Sequence, residues 1–227
     1  MNYLLNNPER VWLLLVQHVQ MVTMALLISL VIAVPLGVLI TRYRFLAVPI
    51  MGTLGILYTV PSLAMIVLLI PIFGLNATSV IIALIIYAQV ILVRNVVAAL
   101  TSISPAVIEA AYGMGMSTWQ CWWQVQVPLA LPIVLAGVRL AAVVCIGIAA
   151  IGARFNAGGI GVLLFDGIAM GRDQMIWAGA MVLAVFALVV NSLLRFVEWA
   201  VDPQTRIKRA ARQQAQPSPQ PAAQPSN

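Results

Sequence analysis

Charge is scarce in this 227-residue chain: 8% of the residues are Asp, Glu, Lys or Arg, and the only lysine is Lys208. So few charges cannot cover the surface of a soluble domain of this size. Cysteine is nearly absent as well. Cys121 and Cys145 lie far from any metal-ligand spacing and provide no disulfide framework. Cys145 sits in an apolar run, where it is expected to pack as a small hydrophobe. His18 is the sole histidine, and a metal site needs several converging ligands. With Gln17 and Gln20 beside it, His18 reads as an interfacial residue near an outer membrane boundary. No GxxxxGK[ST] run occurs, and the glycines of GMGMST lack the third glycine of a dinucleotide fingerprint. The chain is therefore expected to bind no cofactor and no metal of its own, and to have no catalytic residue. An intramembrane enzyme would need ionisable groups converging within the spans, where Arg139 stands almost alone.

What is present is apolar. Hydrophobic residues make up 63% of the chain and the mean hydropathy is +1.03, the composition of a polytopic membrane protein with lipid to cover it. A hydrocarbon core needs about 20 helical residues. The uncharged run at 11–41 exceeds that, and its polar start predicts an interfacial helix followed by a first span at 19–41. It is far longer than a signal-peptide core and no small-residue cleavage pattern closes it, so an uncleaved span is expected. Arg42 and Arg44 stop it. Residues 45–93 carry no charge, which leaves room for two spans, 46–71 and 78–100, separated by PIFGLNATS. Pro61 should bend the first of these. Span four is expected at 133–152, with Arg139 inside it, and span five at 175–197. Residues 152–174 alternate glycine, charge and a short apolar patch, which reads as a re-entrant or surface element. The fold class is thus all-α and polytopic, with about five transmembrane helices.

The net charge of +6 is spread over span ends and the C-terminal tail rather than gathered in a nucleic-acid patch. Positive-inside topology accounts for it. With the Arg42/Arg44 loop cytoplasmic, Arg94 and the basic residues of 206–212 share that side, while Arg10, Arg154 and Arg172 stay outside. The N-terminus is then outside and the C-terminus inside. Residues 1–18 form an extracytoplasmic or interfacial segment, 19–200 the transmembrane domain with a cytoplasmic loop at 101–130, and 201–227 a tail. That tail is basic and then rich in Pro, Gln, Ser and Ala, a composition expected to be disordered.

The loop holds the least ordinary stretch of the chain, EAAYGMGMSTWQCWWQVQVPLALP, residues 109–132. It is too polar for the bilayer centre and too apolar for a free loop. Pro105 suits a helix first turn, and Glu109 falls early enough for the helix dipole to favour its carboxylate. Trp119, Trp122 and Trp123 prefer a membrane–water interface. Gly113 and Gly115 allow a close approach, and Pro128 and Pro132 mark a turn back into lipid. These features predict a short helical element on the cytoplasmic face, with an exposed surface suited to a partner.

Glu109, Ala110 and Ala111, then Gly115, then Val125, Val127 and Pro128 at their offsets resemble the EAA motif. That motif belongs to the permease subunits of bacterial ATP-binding-cassette importers, with valine here at its isoleucine and leucine positions. AAYGMGMSTWQ and VPLALPIVLAGVR are similar to permeases of the glycine betaine/proline (osmoprotectant) family, over roughly residues 15–200. NAGGIG, where GAGGLG is more usual, and the following FDGIAMGRDQ resemble a second signature of that family. The resemblance implies a type I importer permease fold in the cell inner membrane. It also implies that Glu109, Ala110, Ala111, Gly113, Gly115 and Pro128 form the coupling to an ATPase. The implied partners are a second permease, identical or homologous, two ATPase subunits that bind and hydrolyse the ATP, and an extracytoplasmic binding protein. The implied cargo is a small quaternary ammonium solute, with another small solute such as an amino acid as the alternative. A membrane scaffold or intramembrane enzyme is the reading from a different class.

Two further readings concern charge. Arg139 either snorkels to the cytoplasmic edge or ties the coupling helix to span four, with Glu109 as its internal partner. Asp166, Asp173, Arg154 and Arg172 are either an outer docking rim or ordinary solvated charges. Tyr58, Phe73, Tyr87, Phe155 and Phe165 are too scattered in sequence to define an aromatic cage, so no substrate residue is assigned.

Overall fold

Each long apolar run becomes a helix, because in hydrocarbon a backbone must satisfy its own hydrogen bonds. The computed structural model describes residues 2–201. Among these there is no strand, and the helices in order are α1 (Asn2–Asn6), α2 (Pro8–Arg42), α3 (Ala47–Thr59), α4 (Ser62–Phe73), α5 (Ala77–Thr101), α6 (Pro105–Gly113), α7 (Thr118–Cys121), α8 (Val127–Gly152), α9 (Gly161–Ala169) and α10 (Asp173–Val201). Four helical runs, containing α2, α5, α8 and α10, are long and apolar enough to cross a membrane, and α3 with α4 supplies a fifth as a bent pair. The basic cluster and the Pro/Gln-rich tail expected at 206–227 lie outside the described residues.

The first run departs from expectation. No boundary separates an interfacial helix from a span near residue 19, and α2 is a single helix of 35 residues. Its only internal proline is Pro35. The polar residues that suggested an interface, Gln17 and His18, are instead accommodated inside the protein, where they meet partners described below.

The second departure is at Pro61. A bend was expected, but α3 and α4 meet at 98°. Proline restricts the residue before it, and Val60 is extended at φ −64°, ψ 128°. Pro61 also has no N–H to continue the ladder. The Tyr87 hydroxyl, from α5, donates to the carbonyl of Val60 and holds the break in place.

α5 is the axis of the bundle, packed between α2 and α8, with α3 and α4 along it. Ala83, Leu84, Ala88, Leu92, Val93 and Ala99 of α5 are all buried. Lipid tails are as apolar as leucine, so this packing rests on close contact and dispersion rather than on expulsion of water. Three glycines permit it: Gly37 of α2 faces Val96, Gly137 of α8 faces Asn95, and Gly152 of α8 faces Val80. A Cβ at any of them would collide with its α5 neighbour. α10 packs on α8 and α9. Its outer face stays open, with Trp177, Leu188 and Leu193 at least 60% exposed.

Candidate functional site

The polar excursion folds as two short helices joined by a tight cap. Pro105 occupies the first turn of α6, as its fixed φ favours. Glu109 is the fifth residue of this nine-residue helix, and the first turn holds no acidic residue. The expected dipole benefit at the helix start is therefore absent. α6 ends in a Schellman cap: the Met116 N–H donates to Ala111 O at 3.2 Å and the Gly115 N–H to Tyr112 O at 2.9 Å. Gly115 supplies the left-handed residue this cap needs, at φ 84°, and nothing lies within 4 Å of where its Cβ would be. Its role is conformational. α7 then opens with a capping box: Ser117 Oγ accepts from the Gln120 N–H at 3.3 Å, and Gln120 Oε1 accepts from the Ser117 N–H at 2.8 Å.

These two caps fix which face of the segment looks outward. Glu109, Ala110, Tyr112, Gly113 and Met114 are exposed, as are Trp119 and Trp123, whose rings meet edge-on at 5.5 Å. Ala111 is only 1% exposed, so it faces the bundle and is not available to a partner. Cys121 is fully buried beneath α7. Between the excursion and the ends of α2 and α5 lies a cavity of about 500 Å³, lined by Thr41, Arg42, Tyr112, Trp119, Trp122 and Gln126 among others. The return to the bundle is continuous. One π turn, Trp122–Gln126, leads directly into α8, and the Val127 N–H reaches back five residues to Trp122. Pro128 and Pro132 therefore lie within the first turns of a long helix and do not mark a turn. The widened π turn accommodates the proline ring that would clash with a regular one.

Residues 15–207 match the family described as binding-protein-dependent transport system inner membrane component. The chain belongs to this family. It is 38% identical over 207 residues to the osmoprotectant import permease protein OsmW of Salmonella typhimurium, spanning 89% of this chain and 96% of that relative. It is 35% identical to the carnitine transport permease protein OpuCB of Listeria monocytogenes, over 82% of this chain and 86% of that one. Among solved structures, the MetNI methionine ABC transporter in an inward-facing conformation matches with a TM-score of 0.75 at 24% identity, covering 85% of this chain and 98% of that one. At that identity the likeness is one of fold, and it establishes the type I importer permease architecture. The protein is a multi-pass membrane permease, a transport component.

Elsewhere in the permease the structure rearranges several expected pairings. Arg139 does not meet Glu109. Its Nε donates to Glu198 Oε2 at 3.2 Å and its Nη1 to Asn191 Oδ1 at 3.4 Å, both on α10. Arg139 lies on the face of α8 that packs against α10, whereas Glu109 is exposed on α6. The spacing of Asn191 and Glu198, two helical turns apart on one face, was the available signal.

His18 is not interfacial. It is fully buried, its Nε2–H donates to Ile146 O at 3.2 Å, and its ring meets Phe186 edge-on at 5.7 Å. Beside it, Gln17 Oε1 accepts from the Gly159 N–H at 3.1 Å. Gln17 thus holds the turn between α8 and α9, where Asn156, Gly158 and Gly159 all have positive φ, while His18 ties α2 to α8 itself. Of the charges considered for an outer rim, Asp166 pairs with Arg10 at 3.0 Å. Finally, Tyr58 and Tyr87, distant in sequence, come together at 5.7 Å beside the α3–α4 break.

Proposed function

We propose that this chain is the membrane-spanning permease subunit of an osmoprotectant importer, carrying small quaternary ammonium solutes such as glycine betaine, carnitine and choline into the cell. The relatives' names supply the solute class. The observation that carries the mechanical part is the pair of caps that hold the outer face of α6, with Glu109, Ala110, Tyr112 and Gly113, away from the bundle. In this reading that face docks on a partner ATPase, which binds the ATP and hydrolyses it. α6 is short and capped at its C-terminal end by the Schellman turn, so a push on it is transmitted rather than absorbed. The π turn and α8 form one continuous helical run from Thr118 to Phe155, which carries the push into the bundle. Two permeases and two ATPases make up the transporter, with a binding protein delivering solute at the opposite end. The excursion then lies in the cytoplasm.

The test replaces Ala110, which is exposed, and not Ala111, whose enlargement would disrupt the permease's own packing. Ala110→Trp and Gly113→Trp should leave membrane abundance normal while abolishing ATPase copurification and uptake. Wild-type uptake by either variant would overturn the coupling role. Radiolabelled glycine betaine uptake, with choline, carnitine and amino acids as competitors, tests the solute class separately. Competition by amino acids alone would replace it.

A further inference from the structure

The α3–α4 break brings together groups that a lipid-facing surface would not keep. Tyr58, in the last turn of α3, is 43% exposed. The Tyr87 ring, 5% exposed, backs it at 5.7 Å, and the Tyr87 hydroxyl is engaged by Val60 O, so Tyr87 fixes both the break and its neighbour. One turn back along α3 from Tyr58, the place of a side chain is vacant at Gly55, and the nearest atom there is Arg94 Nη2, at 3.9 Å. At Gly52, one turn earlier, nothing lies within 4 Å. Arg94 is in α5 two turns before its end, is exposed, and among the described residues has neither an ion pair nor a hydrogen bond. Arg94 thus stands in the half of its span nearer α6, the cytoplasmic half as proposed above, and an arginine within a membrane helix marks a pathway or site. Broken helices near the middle of a bundle are where transporters hold their cargo.

From these contacts we propose that Tyr58, Tyr87 and Arg94 form a binding station for a small zwitterion bearing a quaternary ammonium and a carboxylate. The inference rests on the solute class proposed above and deepens it. The ammonium methyl groups meet the exposed Tyr58 ring by cation–π attraction, which requires the cation within about 6 Å of the ring centroid. The carboxylate meets the Arg94 guanidinium in the notch left by Gly52 and Gly55. Three residues, about 4.5 Å along α3, separate Gly55 from Tyr58, the scale of a compact betaine. Tyr58 and Arg94 touch the solute, whereas Tyr87 is a positioning residue.

The experiment uses the complete transporter in proteoliposomes with glycine betaine as the solute. It measures uptake kinetics together with ATP hydrolysis stimulated by the loaded binding protein. Tyr58→Leu should lower uptake at subsaturating solute about tenfold, and Tyr58→Phe, which restores a ring, should recover most of that loss. Arg94→Gln should lower it about tenfold while Arg94→Lys recovers part of it. Tyr87→Phe, which keeps the ring and releases Val60, should raise KM without changing maximal hydrolysis. In all of these, stimulated ATP hydrolysis should persist. Unchanged uptake in Tyr58→Leu or Arg94→Gln would overturn the station while leaving the importer reading intact. So would parallel loss of hydrolysis and uptake, which would mean a structural role. A wild-type transporter that takes up no glycine betaine would overturn the solute class, and the station with it.

Discussion

Gly115 shows how one backbone angle can decide a surface. Its φ of 84° closes the Schellman cap, and its Cβ position is open, so the demand is for conformation rather than space. Gly115→Ala should therefore destabilise the cap by about 1–2 kcal/mol, the cost of placing an L residue in the left-handed region. Asn tolerates that region better, so Gly115→Asn should be milder. ATPase copurification and thermal stability of the purified permease would check the order wild type, Asn, Ala. Equal effects of Asn and Ala would mean that the left-handed angle is not what Gly115 supplies. Ala111 teaches a related lesson: one residue from exposed Ala110, it faces the opposite way, because successive residues on a helix are turned by about 100°.

At the scale of elements, α8 and α10 are joined by a charged clamp. Arg139 and Glu198 are both partly exposed, at 34% and 27%, and Asn191 completes the arginine's contacts. Removing one partner leaves the other charge without compensation, whereas removing both leaves an apolar contact. Arg139→Leu alone and Glu198→Leu alone should each lower the thermal midpoint in detergent. The double variant should recover most of the loss, a coupling of the kind seen for residues in one network, about 0.5–3 kcal/mol. Additive losses in that double-mutant cycle would remove the clamp from the account. At the opposite end, Gln17 reaches from α2 to hold the turn before α9, and His18 ties α2 to α8 at Ile146. The same two helices, α2 and α8, that sandwich α5 thus also anchor a glycine-rich turn at their far ends.

For the whole molecule, the placement of basic residues, which favour the cytoplasmic side, predicts an N-terminus outside and the α6 end inside. Asn6, Thr78 and Gln174 are exposed at one end, and Thr101 is exposed at the end that carries α6. Single cysteines at the first three should react with an impermeant reagent from outside the cell, and one at Thr101 only after the membrane is opened. The native Cys121 and Cys145 are buried and contribute little background. External labelling at Thr101 would place the excursion outside and remove the coupling reading altogether.

Number and order of spans, the polar excursion and the family were legible in the linear chain. Each depends on local quantities: hydropathy summed over a helix length, a proline or glycine at a break, and the spacing of Glu109, Ala110, Ala111, Gly115 and Pro128. Partnerships were not legible, because they depend on which helix faces which. Pro61 signalled a bend, but the 98° angle and the Tyr87 hydroxyl that engages Val60 there belong to the folded chain. His18 looked interfacial by its neighbours in sequence and became buried through Ile146, 128 residues away. Arg139 found Glu198 and not Glu109, because α8 packs on α10 while α6 stands outside the bundle. Tyr58 and Tyr87 were scattered in sequence and meet only because α3 runs along α5. Composition and spacing determined that this chain spans a membrane and to which permease family it belongs. The close approach that small residues allow between helices decided which polar groups meet inside it.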